Sequence, residues 1–358
     1  MVEQMNINLD NLETYRSLDP EKMLNHIRNF PALCRQAVNA VQNFRLPPEY
    51  AHINKILILG MGGSAIGGDL VNSLVVHDSR LPITVCREYE IPRSVDSQTL
   101  VIASSYSGMT EETLSAFKEA LDTPAKKLAI TTGGKLQTLC RQMGVPVFAF
   151  DYQSQPRAAL PFSFFILLGI LQKLALFQDM SQDTEIALAD LEATASKINE
   201  TVPLPRNPAK ALAQKIAGHL PVIYGAGITA VVAQRWKTQI NENSKSMAYF
   251  EVFSELNHNA IVGYSAPEEI AHQTMIVLLD SDLLHERIKL RYQITQQLLE
   301  KSGIYYQVVK AEGRNALSQM LELVFFGDYV SYYLAMLNQV DPTPVAPIDF
   351  LKNALANK

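Results

Sequence analysis

Two glycine- and hydroxyl-rich segments each follow an apolar run, and both can hold an anion without a cation. The first, Gly60-Met61-Gly62-Gly63-Ser64-Ala65-Ile66-Gly67-Gly68, comes straight off ILILG. The backbone N–H groups of its turn, around Gly62 and Gly63, and of the helix that follows point at one spot, and Ser64 adds a hydroxyl. The second, Ser104-Ser105-Tyr106-Ser107-Gly108-Met109-Thr110-Glu111-Glu112-Thr113, follows LVIA and opens a helix. Hydroxyls at Ser105, Ser107 and Thr110, backed by first-turn amides, form a cup the size of one phosphate. A single serine there could serve only as a helix cap. Three hydroxyls at one strand end suit a ligand better, because open α/β sheets bind at that edge.

Other residues carry chemistry by their setting. Arg157 follows Pro156 and precedes an apolar helix, whose dipole disfavours a cation at that end. Such a guanidinium asks for an anionic partner, either a ligand or a neighbouring carboxylate. His258 lies in the polar turn Glu255-Leu256-Asn257-His258-Asn259, which suits proton exchange near neutral pH. A structural turn histidine is the alternative. The remaining histidines, His26, His52, His77, His219, His272 and His285, have no comparable setting and read as surface or packing residues.

The elements that must position these residues can be read from the apolar pattern. Buried-strand runs start at Lys55 and recur at Ile83–Cys86, Leu100–Ser104, Lys127–Thr131 and Pro146–Phe150, with helical stretches such as Glu111–Leu121 and Leu136–Met143 between them. That alternation predicts a doubly wound parallel sheet. Before it, Asp19 caps a helix with Pro20 at its first position, continued by Met23, Leu24 and Ile27. After a helix through Phe177, a polar helix spans residues 178–200, and three prolines from Val202 to Pro208 mark a linker. The theme then restarts: PVIYGAGITAVVAQRW repeats the strand, glycine turn and helix of KILILGMGGSAIGGDL. Strands near Glu269–Leu279 and Ile304–Val309 and a helix over Leu317–Leu337 complete a smaller second sheet. The expected organisation is helices over residues 1–45, a first α/β domain over 46–200 and a second over 201–358.

Composition narrows the partner. A net charge of -5 offers no general field for nucleic acid or an acidic membrane surface. Cys34, Cys86 and Cys140 lack metal-ligand spacing and fit a reducing compartment. The acidic N-terminus is no secretory signal, and the uncharged stretch between Arg157 and Lys173 is too short to cross a bilayer. A cytoplasmic protein with a small-molecule partner is expected, with no metal and no cofactor. The first glycine turn also resembles a dinucleotide fingerprint, and Arg87-Glu88 after the next strand leaves room for an acidic ribose partner. A dinucleotide site has no need of the second hydroxyl cluster.

GMGGSAIGGD and SSYSGMTEET together resemble the sugar isomerase (SIS) domain, a phosphosugar-binding module. Its duplicated form covers the chain after the N-terminal helices, as two tandem SIS-type doubly wound sheets. Within that group, Gln155-Pro156-Arg157-Ala158-Ala159-Leu160-Pro161-Phe162, Asn241-Glu242-Asn243-Ser244-Lys245 and the ELNHN turn are similar to the bifunctional phosphoglucose/phosphomannose isomerase family. The resemblance implies metal-free interconversion of glucose 6-phosphate, with mannose 6-phosphate as a possible second aldose, and fructose 6-phosphate through an enediolate. It puts the catalytic base at Glu242, ring opening at His258, enediolate stabilisation at Arg157 and a ring-reaching lysine at Lys352. In the wider superfamily the histidine comes from the neighbouring subunit, which implies a homodimer. Mannose activity is tied to a hydroxyl shortly before the terminal lysine; here Thr343 could supply it, whereas Val345 at that place would not. Two other uses of SIS modules fit less well. A regulator would carry a basic helix-turn-helix, and a glucosamine-phosphate synthase an N-terminal glutaminase with a cysteine nucleophile.

Overall fold

The computed structural model describes residues 7–356, which fall into two compact units. One unit joins the N-terminal residues through Arg28 to the chain from Ala189 onward, and the other is Asn29–Leu188.

Two short helices open the chain, α1 (Leu12–Leu18) and α2 (Met23–Arg28). The expected helix starting at Pro20 is corrected by a turn over residues 20–22: Asp19 ends α1, and its carboxylate reaches forward to the Met23 and Leu24 amides at 2.7 and 2.8 Å. It caps α2 from a distance, satisfying amides that a helix start leaves without partners.

Unit Asn29–Leu188 begins with α3 (Phe30–Val41) and continues β1 (Lys55–Leu59), α4 (Gly62–Val75), β2 (Ile83–Cys86), β3 (Thr99–Ser104), α5 (Glu111–Leu121), β4 (Lys126–Thr131), α6 (Gly134–Met143), β5 (Val147–Ala149) and α7 (Leu160–Lys173). All pairings are parallel, in the order β2-β1-β3-β4-β5. Every residue of β3 is buried, as a central parallel strand covered on both faces requires. Helix α7 is apolar nearly all round and packs against α3 and α4, which explains its lack of a polar face. The unit boundary falls within α8 (Ser181–Ile198).

The other unit continues with α9 (Pro208–Ile216), β6 (Leu220–Gly225), α10 (Ala230–Ser244), β7 (Tyr249–Val252), α11 (Glu268–Gln273), β8 (Thr274–Asp280), α12 (Glu286–Lys301), β9 (Tyr305–Lys310), α13 (Ala316–Leu337) and α14 (Ala346–Ala356). Its parallel sheet has the order β7-β6-β8-β9. This repeats the first four positions of the other sheet, and the fold is that of two tandem parallel-sheet α/β units. Duplication shows in the backbone as well: Gly62 and Gly227, each two residues beyond a glycine at the end of the unit's first apolar run (Gly60 and Gly225), both take φ +50. Only glycine adopts that conformation freely.

Some elements differ from the sequence expectation. The linker region holds a 3-10 turn at Leu204–Arg206 and the start of α9, whose first amides, Ala209 and Lys210, are taken by Asn207 Oδ1. Glu268–Gln273 is helix rather than strand, so β8 starts only at Thr274. Strand β7 has no counterpart in the apolar pattern, because YFEV at the sheet edge is short and carries Glu251.

Helix α13 is long and apolar enough to span a membrane by length and composition, but 83% of its apolar window is buried within the protein. It is a core helix. Trp236 of α10 donates its indole N–H to the Leu323 carbonyl at 2.8 Å, and Arg235 grips both carboxylate oxygens of Asp328 at 3.1 Å. Both ends of this ion pair are almost fully buried. Removing one partner leaves a desolvated charge. Asp328→Ala is therefore expected to destabilise the protein by about 3–5 kcal/mol, measured as the shift in urea unfolding.

Candidate functional site

The two anion-suited loops lie side by side. Strands β1 and β3 pair with Leu59 opposite Ala103, so the turn starting at Gly60 and the loop starting at Ser104 leave adjacent strands at their C-terminal ends. In the second loop, Ser105 Oγ and Thr110 Oγ1 are hydrogen-bonded at 3.0 Å. Ser105 is 2% exposed, and its own amide is fixed to the Ile130 carbonyl of β4 at 3.0 Å. Thr110 occupies the N-cap position of α5 yet does not cap it with its side chain. The first amides of α5 thus face outward without a side-chain acceptor, next to a hydroxyl pair. Ser107 is exposed, and its Oγ accepts the Met109 amide at 3.2 Å, which bends the loop over. Gly108 makes that bend possible: its φ is +62, and a Cβ there would lie 1.9 Å from the Gly133 carbonyl oxygen.

Ser64 is nearly buried at the start of α4, whose N-cap residue, Met61, offers no capping side chain. Gly62 is exposed and Gly63 partly so. A Cβ on Gly63 would meet the Pro156 carbonyl oxygen at 3.2 Å and Arg157 Cα at 3.7 Å, so α4 runs directly against the 3-10 turn Pro156–Ala159. Arg157 is buried at 3% exposure on that turn. Unit Asn29–Leu188 therefore brings both loops and Arg157 to one region of its sheet edge.

Tyr106 secures this arrangement, and in the sequence it is only the residue between two serines. Its hydroxyl meets the Tyr152 and Ser154 carbonyls at 2.8 and 3.0 Å and accepts the Ser154 amide at 2.8 Å. The segment so held leads directly into Gln155-Pro156-Arg157. Burial pushes the Tyr152 phenol up to about 12. Arg87, next to the position where the dinucleotide reading leaves room for an acidic ribose partner, forms an ion pair with Asp69 of α4. Burial raises the Asp69 pKa, and the Arg87 guanidinium opposes that rise.

The other unit supplies Glu242, His258 and Lys352. Glu242 is half-buried in the last turn of α10. Its neighbours are clamped: Asn243 donates to Ser331 Oγ of α13 at 2.9 Å, and Asn338 donates to the Ser244 carbonyl at 2.9 Å. Lys245, in a left-handed conformation, closes the helix end by donating to the Glu242 carbonyl at 2.5 Å and to the Pro342 carbonyl at 3.0 Å. These clamps were invisible in sequence, since Ser331 lies 88 residues from Asn243. His258 is exposed at the end of the 3-10 turn Glu255–His258. Asn257 beside it bonds Thr295 Oγ1 at 3.0 Å and accepts from Arg291 at 3.2 Å. Lys352 is exposed on α14, and Thr343 is buried in the turn before it.

The loop after β8, which occupies the place of the hydroxyl loop in this duplicate, reads Asp280-Ser281-Asp282. Ser281 Oγ is committed to Gln319 at 2.6 Å, and two carboxylates flank it. It lacks the hydroxyl pair of its counterpart and presents negative charge instead. Among the described residues no three His, Cys, Asp or Glu side chains converge as a metal site, and all three cysteines are buried thiols.

A family model described as bacterial phospho-glucose isomerase C-terminal SIS domain matches residues 205–355. The bifunctional phosphoglucose/phosphomannose isomerase of Caldicellulosiruptor bescii is 44% identical over 335 residues, 93% of this chain and 99% of that protein. The chain belongs to the bifunctional phosphoglucose/phosphomannose isomerase family. The family's Aquifex aeolicus member is 38% identical, over 84% of this chain and 90% of its own. A hypothetical protein of Thermus thermophilus shares the fold with TM-score 0.73 at 14% identity, covering 96% of this chain and 93% of that one.

For an isomerase of this family, the Tyr106 clamp yields a direct test. Tyr106→Phe leaves the Ser154 amide and two carbonyls short of a partner, at a cost of about 1–3 kcal/mol. We expect kcat/KM to fall roughly ten-fold while circular dichroism stays native. A lowered melting temperature with unchanged kcat/KM would show that the clamp is structural only.

Proposed function

We propose that the protein interconverts glucose 6-phosphate, and mannose 6-phosphate as a second aldose, with fructose 6-phosphate. The observation that carries the reading is the Ser105–Thr110 hydroxyl pair. It leaves an uncapped helix start beside a second anion-suited turn, and the duplicated loop in the other unit has acids instead. In this reading the ester phosphate sits on Ser64, Ser105, Ser107, Thr110 and the amides around Gly62 and Gly63.

The chemistry then follows from what an aldose–ketose exchange requires. His258 and Lys352 serve ring opening, moving the proton of the anomeric hydroxyl to the ring oxygen as that C–O bond breaks. The Glu242 carboxylate removes the proton from C2, and the electron pair passes to the C1 oxygen, giving an enediolate. Arg157 lies in the unit that holds the phosphate and stabilises that oxyanion. The hydroxyl proton on O2 passes to O1, and Glu242 returns its proton to C1. One carboxylate suffices because the two carbons are neighbours. Mannose 6-phosphate enters the same enediolate after rotation about C2–C3, and the Thr343 hydroxyl is the group we assign to that tolerance.

His258 is exposed in the single chain, which supports its use by a second copy in a homodimer. A mixture of Glu242→Gln and His258→Ala chains, each inactive alone, is then expected to regain turnover by forming mixed dimers with one intact site. No recovery after co-refolding would place His258 in its own subunit's site.

The primary test is conversion of both aldose phosphates by the purified protein. Glu242→Gln should retain binding and lose about 10²–10⁴-fold in kcat. EDTA should leave turnover unchanged. Binding by both proteins without turnover by the wild type would mean a phosphosugar sensor, and reversible loss in EDTA would mean a required metal.

A further inference from the structure

The turn that carries His258 is tied down on both sides of the histidine. Before it, Leu256 is fully buried in an apolar cluster that includes Tyr292 and Leu299 of α12. After it, Asn259 accepts the Ala260 amide on Oδ1 at 2.6 Å and donates from Nδ2 to Glu255 Oε1 at 2.8 Å. His258 stands exposed between these fixed neighbours.

Asn257, directly before the histidine, makes the most demanding of these ties. Its side chain spends both ends on α12: Oδ1 accepts from Arg291 Nη1 at 3.2 Å, and Nδ2 donates to Thr295 Oγ1 at 3.0 Å. Arginine has no acceptor, so a single orientation of the amide satisfies both partners. Arg291 and Thr295 lie four positions apart, neighbours on one face of the helix. Thr295 is 1% exposed, so a turn that moved away from α12 would leave its hydroxyl without this partner in the core. The turn therefore has one well-defined seat, and the side chain it presents to the outside is an imidazole.

We propose that Asn257 is a positioning residue for ring opening, with Thr295 as its buried anchor. The pair fixes the place from which His258 meets the sugar, and so it rests on the ring-opening role given to His258 above. Neither residue exchanges a proton with the substrate. What they supply is the distance between the imidazole and the anomeric oxygen, a quantity to which proton transfer is steeply sensitive.

Ring opening can be read by itself in Glu242→Gln, which lacks the base for isomerisation. The α and β anomers of glucose 6-phosphate interconvert when the ring opens and recloses, and magnetisation-exchange NMR gives the enzyme-catalysed rate. Adding Thr295→Val, which removes the hydroxyl with little change of shape, is expected to slow that exchange by at least about ten-fold with sugar-phosphate affinity unchanged. Thr295→Ser, which keeps the hydroxyl, should restore it. Asn257→Ala cuts the same hydrogen bond from its half-buried end and gives the same reading should Thr295→Val not fold. Anomer exchange that is undiminished by Thr295→Val overturns the proposal, and so does an equal loss in Thr295→Ser, which would assign the effect to packing of the methyl group. A failure of the underlying reading looks different: Glu242→Gln/His258→Ala would then exchange anomers as fast as Glu242→Gln alone, and the role of His258 would fall together with that of its anchor.

Discussion

A helix N-terminus can give its unpaired amides to its own cap or to a ligand, but not fully to both. The hydrogen bond between Ser105 and Thr110 settles that competition at α5. It draws the threonine hydroxyl back towards β3, so the residue at the capping position leaves the helix amides facing outward. Capping is worth about 1 kcal/mol to a protein. Forgoing it makes sense where an anion takes the cap's place, and the protein's net negative charge gives a local device more importance than any general field.

The same constraint explains why the duplicate halves look alike in backbone and unlike in chemistry. Both sheets keep the order of their first four strands, and both first turns keep glycine at φ +50. Strand order and turn geometry are set by packing and sterics, which duplication preserves. The loop after the third strand is free of those demands. In one unit it carries hydroxyls, and in the other it carries Asp280 and Asp282, with Ser281 spent on Gln319. One copy presents hydroxyls and the other carboxylates.

How much could be read in advance depended on the range of the interaction. Ile83–Cys86 and Glu111–Leu121 match β2 and α5 residue for residue, because apolar period and Glu-rich helix starts are local signals. The stretch from Glu269 failed at its first turn: EEIAHQ has enough apolar residues to pass for a strand start, but Pro267 before two acids is a helix-start signal. Asn207-Pro208 was likewise a cap and first helical residue hidden inside an apparent linker. The buried Lys210 was beyond any local pattern. Its three ammonium donors find Asp10, Glu200 and Val202, two of them backbone carbonyls in a turn and the third a residue 200 positions away. The positions of the Gly and Ser loops were legible because a glycine turn or hydroxyl cluster straight after an apolar run marks a strand end leading into a helix. Tyr106 was not, since its partners come from a segment nearly 50 residues on.

The Glu242 side of the proposed site shows why such a site needs this non-local support. Glu242 sits on the last turn of α10, where a helix ordinarily frays. Displacing a catalytic carboxylate by about 1 Å can cost a hundred-fold in rate. Here the helix end is secured from three directions: Asn243 into α13, Asn338 onto the Ser244 carbonyl, and Lys245 across to Pro342. Asn243 is fully buried and its amide is spent on Ser331, so a slip of the helix would strand a polar group in the core. The residues on either side of the carboxylate are thus chosen for rigidity, and the carboxylate itself is left as the half-exposed member of the turn. The asparagines of the NEN triplet do structural work so that the glutamate between them is held still.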